Sequence, residues 1–342
     1  MYMKKSKLFF TGVLIACNFL FLAPIFAKNP ILKKLGVYSC GTQPKQVLFS
    51  PDSSTIVIPL LDDTGFQVFK IEDQNKTLKI IPPRAKQKGF AEGLFIAEKH
   101  TFLVSQMTTG YLYEYEYPGF SYKREISCGG QWSKFIAWTS DTQQLAVSNW
   151  VSNTVCLIDY KTGNIIKTLK TKASPRGLAF IDNGKSLIVL CFDGGVIQKF
   201  DTSTGKVIDS ISVEKSAMRH IVVNKNETKA FVSDMYHASI YTIDLATFKI
   251  INTHHVFNNT NTIDLYNDQY LFVSSRGPNN PDGYTKRSLV NGHITIIDVV
   301  NEKPIVEFEG GNQPTGLDVS PDGHYLCFSN FQDANFELYK IE

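Results

Sequence analysis

The chain has 342 residues, with 35 Lys and Arg against 32 Asp and Glu, a formal charge of +3. Lys4, Lys5 and Lys7 stand in an N-terminal segment that reads as removable, and without them the chain is neutral. A neutral chain has no global field to concentrate DNA, RNA or anionic lipid, so any anion site must be local.

The first segment pairs a basic head, "MYMKKSK", with an uncharged apolar run, "LFFTGVLIACNFLFLAPIFA", ending at Ala27. That is the pattern of a secretory signal, cut before Lys28. Two further readings of the run stay open. Leu8 to Ala27 is 20 residues long, enough to span a bilayer if retained. Leu14-Ile15-Ala16-Cys17 also resembles a bacterial lipobox, whose cysteine carries lipid. All three readings place residues 28–342 outside the cytoplasm, in the periplasm or cell envelope, with the membrane touched only through the N-terminal segment. The remaining cysteines are Cys40, Cys128, Cys156, Cys191 and Cys327, an odd number without CxxC spacing. Cys156, Cys191 and Cys327 sit in apolar strands and read as small buried hydrophobes. No disulfide framework is implied.

After Ala27 the chain repeats itself. "LIDYKTGNIIKTLK" from Leu157 returns as "KFDTSTGKVIDSIS" from Lys199, "TIDLATFKIINTHH" from Thr242 and "IIDVVNEKPIVEFE" from Ile296. A second phrase recurs between them, as "QPKQVLFSPDSSTIVIPL", "SPRGLAFIDNGKSLIVLC" and "QPTGLDVSPDGHYLCFSN". Its apolar anchors are Phe49, Ile96, Trp138, Phe180, Val223, Leu265 and Val319, which gives seven copies at gaps of 42 to 54. A period in the forties is that of four-stranded propeller blades.

Each copy resolves into four strands. Strand a is short and apolar, and a polar turn such as "SPDG" follows it. Strand b is almost wholly apolar, as a strand covered on both faces should be. Strand c ends at Asp159, Asp201, Asp244 or Asp298, which caps the corner into strand d, and in "DTSTG" Gly205 supplies the left-handed residue. No window of a dozen residues after Ala27 keeps helical apolar spacing, so the fold is all-β. The chain stops after strand c of copy seven, while "ILKKLGVYS", residues 31–39, aligns with a strand d. The expectation is one domain, residues 28–342, a seven-bladed β-propeller whose last blade is closed by the N-terminal strand.

"LAVSNWVSNTVCLIDYKTGNIIKTLK", Leu145 to Lys170, resembles the YVTN repeat, and "SPRGLAFIDNGKSLIVL" resembles its companion half. The likeness is clear in copies three to five, while copies two and six are degenerate. It implies a seven-bladed propeller of the extracytoplasmic YVTN/YncE-like type. Function follows from it only weakly, because such propellers host ligand binding, protein binding and occasional lactone or redox chemistry.

The strand order puts the a–b and c–d turns on one face, and the d–a connections and b–c loops on the other, around the channel mouth. Four residues before each anchor the copies read Lys45, Glu92, Lys134, Arg176, Arg219, Asn261 and Thr315. Four cations and one acid would ring the mouth, with Arg176 and Arg219 on adjacent blades as a fork for an anion. The alternative is a solvated rim of compensating charges. Trp132, Trp150, Tyr236 and His237 belong to the loops of the same face and suit a sugar, an aromatic ligand or a protein partner. The long insertion in copy six, Arg276 to Gly292, adds Arg276 and is placed to act as a lid. No histidine set has zinc spacing, no GxSxG, HExxH or Walker pattern occurs, and no cofactor is implied.

The leading functional reading is a non-enzymatic binding or scaffold protein, taking an anionic or sugar-like molecule or a protein at the mouth. A lactonase-like hydrolase is the second reading, with Arg176, Arg219, His220 and Glu92 as its candidate groups. Single-stranded nucleic-acid binding through the basic ring, Trp132, Trp150 and Tyr236 is the third, and the neutral charge weighs against it.

Overall fold

Each of the first six repeats forms one four-stranded antiparallel sheet, strands a to d pairing in chain order from the centre outward, and the seventh sheet takes its outer strand from the start of the described chain. The computed structural model describes residues 29–74, 77–83 and 87–342. The expected secretory signal, residues 1–27, lies outside them. Blades one to seven span residues 48–80, 90–127, 133–170, 175–212, 218–255, 260–309 and 314–341. The one helical element among the described residues is a 3-10 turn at Ala97–Lys99.

The core lies between blades. Strand b is buried along nearly its whole length, completely so in Ser186–Cys191 and Tyr270–Ser275, because each of its faces meets another sheet. Seven apolar clusters fill the seven junctions between neighbouring blades. Between blades one and two, for example, Phe66, Phe90, Phe102 and Tyr115 pack together. Each such ring removed from water stabilises the junction by about 2–3 kcal/mol. Cys156, Cys191 and Cys327 are buried within these clusters as free thiols.

The c–d corner is built as the repeat requires. The Asp201 carboxylate accepts hydrogen bonds from the Thr204 amide at 2.7 Å and the Ser203 and Thr204 hydroxyls. These bonds, the Thr204 amide foremost, hold its acid form low, at about 2. Gly205 takes φ 74°, a conformation that disfavours a side chain. Asp159 and Asp244 cap their corners in the same way.

Ring closure joins the two ends of the chain. The strand Leu32–Ser39 pairs antiparallel with Asn335–Ile341, from Leu32 opposite Ile341 to Ser39 opposite Asn335. Tyr38 then covers the junction of blades seven and one, its ring 4.8 Å from Phe69 and 5.4 Å from Phe336. Gly36 makes room for that ring, since a Cβ there would stand 2.8 Å from it. At the inner wall Gly316 lets strand a of blade seven touch blade one, where a Cβ would meet the Gln46 backbone at 2.5 Å.

Candidate functional site

One backbone irregularity recurs and decides where the ring residues go. In blades two to seven the a–b register slips at the start of strand a, between Phe90 and Gly93, Ser133 and Ile136, Pro175 and Leu178, Met218 and Ile221, Thr260 and Ile263, and Pro314 and Leu317. Glu92, Lys134, Arg176, Arg219, Asn261 and Thr315 each fall inside that slip. A bulge of this kind re-aims a side chain out of the sheet. Strand-b serines satisfy the disturbed backbone. Ser105 accepts from the Glu92 amide and donates to the Lys134 carbonyl, and Ser233 accepts from the His220 amide and donates to the Asn261 carbonyl.

The ring is an internal cluster rather than a rim. Arg176 is 2% exposed and Arg219 6%. The two guanidiniums do not form a fork. Arg176 reaches past blade three to pair with Glu92 of blade two, while Arg219 Nε donates to Asn261 Oδ1 of blade six. Arg176 Nε and Nη1, Asn261 Nδ2 and Arg276 Nε are buried and have no hydrogen-bond partner among the described residues. Lys45 and Lys134 are half-buried, and aromatic faces receive them. Lys134 Nζ lies 3.5 Å from the centre of Trp150 and 5.5 Å from that of Trp132, and Lys45 Nζ lies 5.2 Å from that of Phe331. Arg276 joins the cluster as a fifth cation, 4.9 Å from the same Phe331 ring and bonded to Gln313.

These charges strain one another. Burial, then Arg219, Arg276, Arg176 and Lys134, push the Lys45 ammonium well below its ordinary range. Burial and the two arginines lower Lys134 as well, with Glu92 and Asp193 opposing them. Burial and Arg176 likewise work against the charge on Arg219, but a guanidinium keeps its proton in proteins. His220, packed edge-on to Phe135 at 5.2 Å, is driven down to about 3 by burial, Arg176 and Arg219 and is therefore neutral. Five cations face two carboxylates, Glu92 and Asp193, and that arrangement can hold an anion.

Of the other expected residues, Trp132 and Tyr236 are 47% and 64% exposed. Trp150 packs on Phe192 at 4.9 Å. His237 is committed locally, its Nδ1 2.7 Å from Asp234 Oδ2. The Arg276–Gly292 insertion is pinned to the loops of blade seven. Gln313 Nε2 donates to the Tyr284 and Lys286 carbonyls, Gln332 Nε2 to that of Thr285, and Arg287 pairs with Asp333. The residues that end strand b are also structural. Asn149 Nδ2 donates to the Cys128 carbonyl, and Asn330 Oδ1 accepts from the Gly311 amide.

Sequence reasoning missed a carboxyl pair. Asp264 and Asp318 stand one residue before their anchors, where the other copies have Leu48, Phe95, Ala137, Ala179 and Val222. Asp318 accepts from the Phe49 amide at 2.6 Å and Asp264 from the Val319 amide at 2.8 Å. Burial and the Asp264 carboxylate push Asp318 well above the usual range, so it carries the proton and donates to Asp264. An acid at an apolar repeat position was the available signal. Among the described residues no group of three or more His, Cys, Asp or Glu could hold a metal ion. A surface groove lined by Asp52, Lys70, Leu78, Tyr117 and Phe120 lies between blades one and two on the opposite face and shares no residue with the cation cluster.

A ring of seven sheets with a polar cluster inside its bore and irregular loops around one opening defines a seven-bladed β-propeller. No family model matches the sequence. The chain is 36% identical over 314 residues to Antigen Lp49 of Leptospira interrogans serogroup Icterohaemorrhagiae serovar copenhageni, strain Fiocruz L1-130, covering 89% of this chain and 68% of that protein. The chain belongs to the Antigen Lp49 family. Fold and kinship together fit a non-enzymatic role at the level of the family.

Proposed function

We propose that the protein works outside the cytoplasm as a non-enzymatic propeller that binds an acidic ligand or partner at the opening formed by the d–a and b–c loops. One observation carries the reading: five cations, Lys45, Lys134, Arg176, Arg219 and Arg276, are gathered there against two carboxylates, Glu92 paired with Arg176 and Asp193 acting on Lys134. Desolvated cations without equal counter-charge are a standing attraction for an anion. Exposed Trp132 and Tyr236 on the loops of the same face offer contact area to the remainder of a partner. The apolar segment ending at Ala27, the YVTN-like repeat and the relative's name, an antigen, all support a place outside the cytoplasm.

The test is capture from an array of acidic glycans and acidic proteins, by the wild type and by a Lys45→Gln/Lys134→Gln double variant. These two lysines are half-buried and tolerate exchange better than Arg176. Binding that the double variant loses, and that Lys206→Gln on the opposite face retains, supports the assignment. Capture unaffected by the double variant moves the site elsewhere.

A further inference from the structure

The cluster that carries the proposed function also restricts what can occupy it, and a ligand class drawn from that restriction rests on the same reading of the site. Three features matter. The first is depth: Arg176 and Arg219 are almost wholly buried, so a chain lying across the opening reaches neither. The second is charge. With Glu92 paired to Arg176 and Asp193 acting on Lys134, the cations still outnumber the carboxylates by three, more than a single carboxylate balances. The third is direction. The unsatisfied donors, Arg176 Nε and Nη1, Asn261 Nδ2 and Arg276 Nε, come from blades four and six, and the Lys45 and Lys134 ammoniums add donors from blades one and three.

Donors spread around a ring match an anion whose oxygens point in several directions, not the flat, two-oxygen edge of a carboxylate. A phosphodiester fails on two grounds, since it carries one charge and has chain on both sides. We infer that the bore is a receptor for one doubly charged tetrahedral oxyanion, a terminal phosphate, held by Arg176, Arg219, Lys45 and Lys134 with Asn261 as a neutral donor. In a phosphomonoester the organic part would leave through the opening past Trp150, which already stacks on Lys134. Glu92 sets the selectivity, because its carboxylate holds one edge of Arg176 and leaves Nε and Nη1 for the ligand.

The experiment is isothermal titration of the purified protein with sodium phosphate and with phenyl phosphate, against sodium acetate and sodium chloride at equal ionic strength. One equivalent of phosphate or phenyl phosphate should bind saturably, and acetate should not. At a hundredfold excess over Kd, Tm should rise by roughly 3–5 °C. Lys134→Gln should weaken binding about tenfold or more, as loss of a charge-assisted hydrogen bond does, and Lys206→Gln should leave it unchanged. Arg176→Gln is the stronger variant, but it also breaks the pair with Glu92, so Lys45→Gln serves as the second check. Phosphate and phenyl phosphate binding alike assigns the free anion, whereas binding of phenyl phosphate alone assigns the ester. No saturable binding of either, or equal binding in both lysine variants, overturns the inference. If an acidic partner depends on Lys45 and Lys134 but phosphate does not displace it, this inference falls and the broader function stands.

Discussion

Tyr38→Ala tests the closure of the ring at the place where the two chain ends meet. The ring of Tyr38 lies against Phe69 of blade one and Phe336 of blade seven, so its loss removes contacts to both sides of one junction. A half-buried tyrosine withdraws on the order of 100 Å² from water, about 2.5 kcal/mol. Its two aromatic contacts add roughly 0.5–1.5 kcal/mol each. Relaxation around the gap and residual burial in the unfolded chain reduce the sum, and about 3 kcal/mol remains. At roughly 2.1 cal/mol/K per residue, the unit Ile31–Glu342 unfolds with about 0.65 kcal/mol/K, so Tm should fall by about 4–5 °C. Tyr38→Phe, which gives up only the exposed hydrogen bond to Gln74, should lie within about 1 °C of wild type. Ile166→Ala, on the outer strand of blade three and 50% exposed, is the matched control. Differential scanning calorimetry decides it. A Tyr38→Ala transition indistinguishable from that of Ile166→Ala would show that the terminal strand is not what holds the ring.

Three further predictions concern the bore. Glu92→Gln should cost about 3–5 kcal/mol in urea unfolding, because the buried Arg176 then loses its paired carboxylate amid four other cations. Arg176→Met should cost less, since Lys134 is close enough to take over part of its role beside Glu92, and equal losses would contradict the charge count. The lysines give a pH signature. With Lys45 and Lys134 held below 10.5 in the folded chain, the unfolded chain binds more protons in the window up to that value, and stability rises with pH there. Relative to the Lys45→Gln/Lys134→Gln variant, wild-type Tm should therefore climb as pH rises toward 10.5, and parallel curves would refute the strain. The Asp264–Asp318 pair has the opposite sign. Asp318 is raised above 3.8 in the folded state, so the native chain holds the extra proton and stability falls as pH rises from there through the raised value. Asp318→Asn keeps both hydrogen bonds and should flatten that slope, and an unchanged slope in a calorimetric pH series would argue against a shared proton.

The sequence alone determined the architecture, because a propeller is specified locally. Each blade needs an apolar strand b, a capped corner such as Asp201 to Gly205, and an inner strand with its anchor. Those demands recur at one period whatever the blade binds. The closing strand was legible for the same reason, since residues 31–39 fill the one strand the last copy lacks. The positions of Lys45, Glu92, Lys134, Arg176 and Arg219 were also legible, as one aligned column. Their relations were not. That Arg176 passes over blade three to Glu92, that Arg219 turns the other way to Asn261, and that Arg276 enters from an insertion to share Phe331 with Lys45 all depend on distances across the bore. Side chains from blades remote in sequence meet there, and no periodicity encodes which cation finds which partner. The Asp264–Asp318 contact is of the same kind. Each acid looks like an exception within its own repeat, and only the curvature of the ring, which brings blade six against blade seven, makes the two carboxyls share a proton.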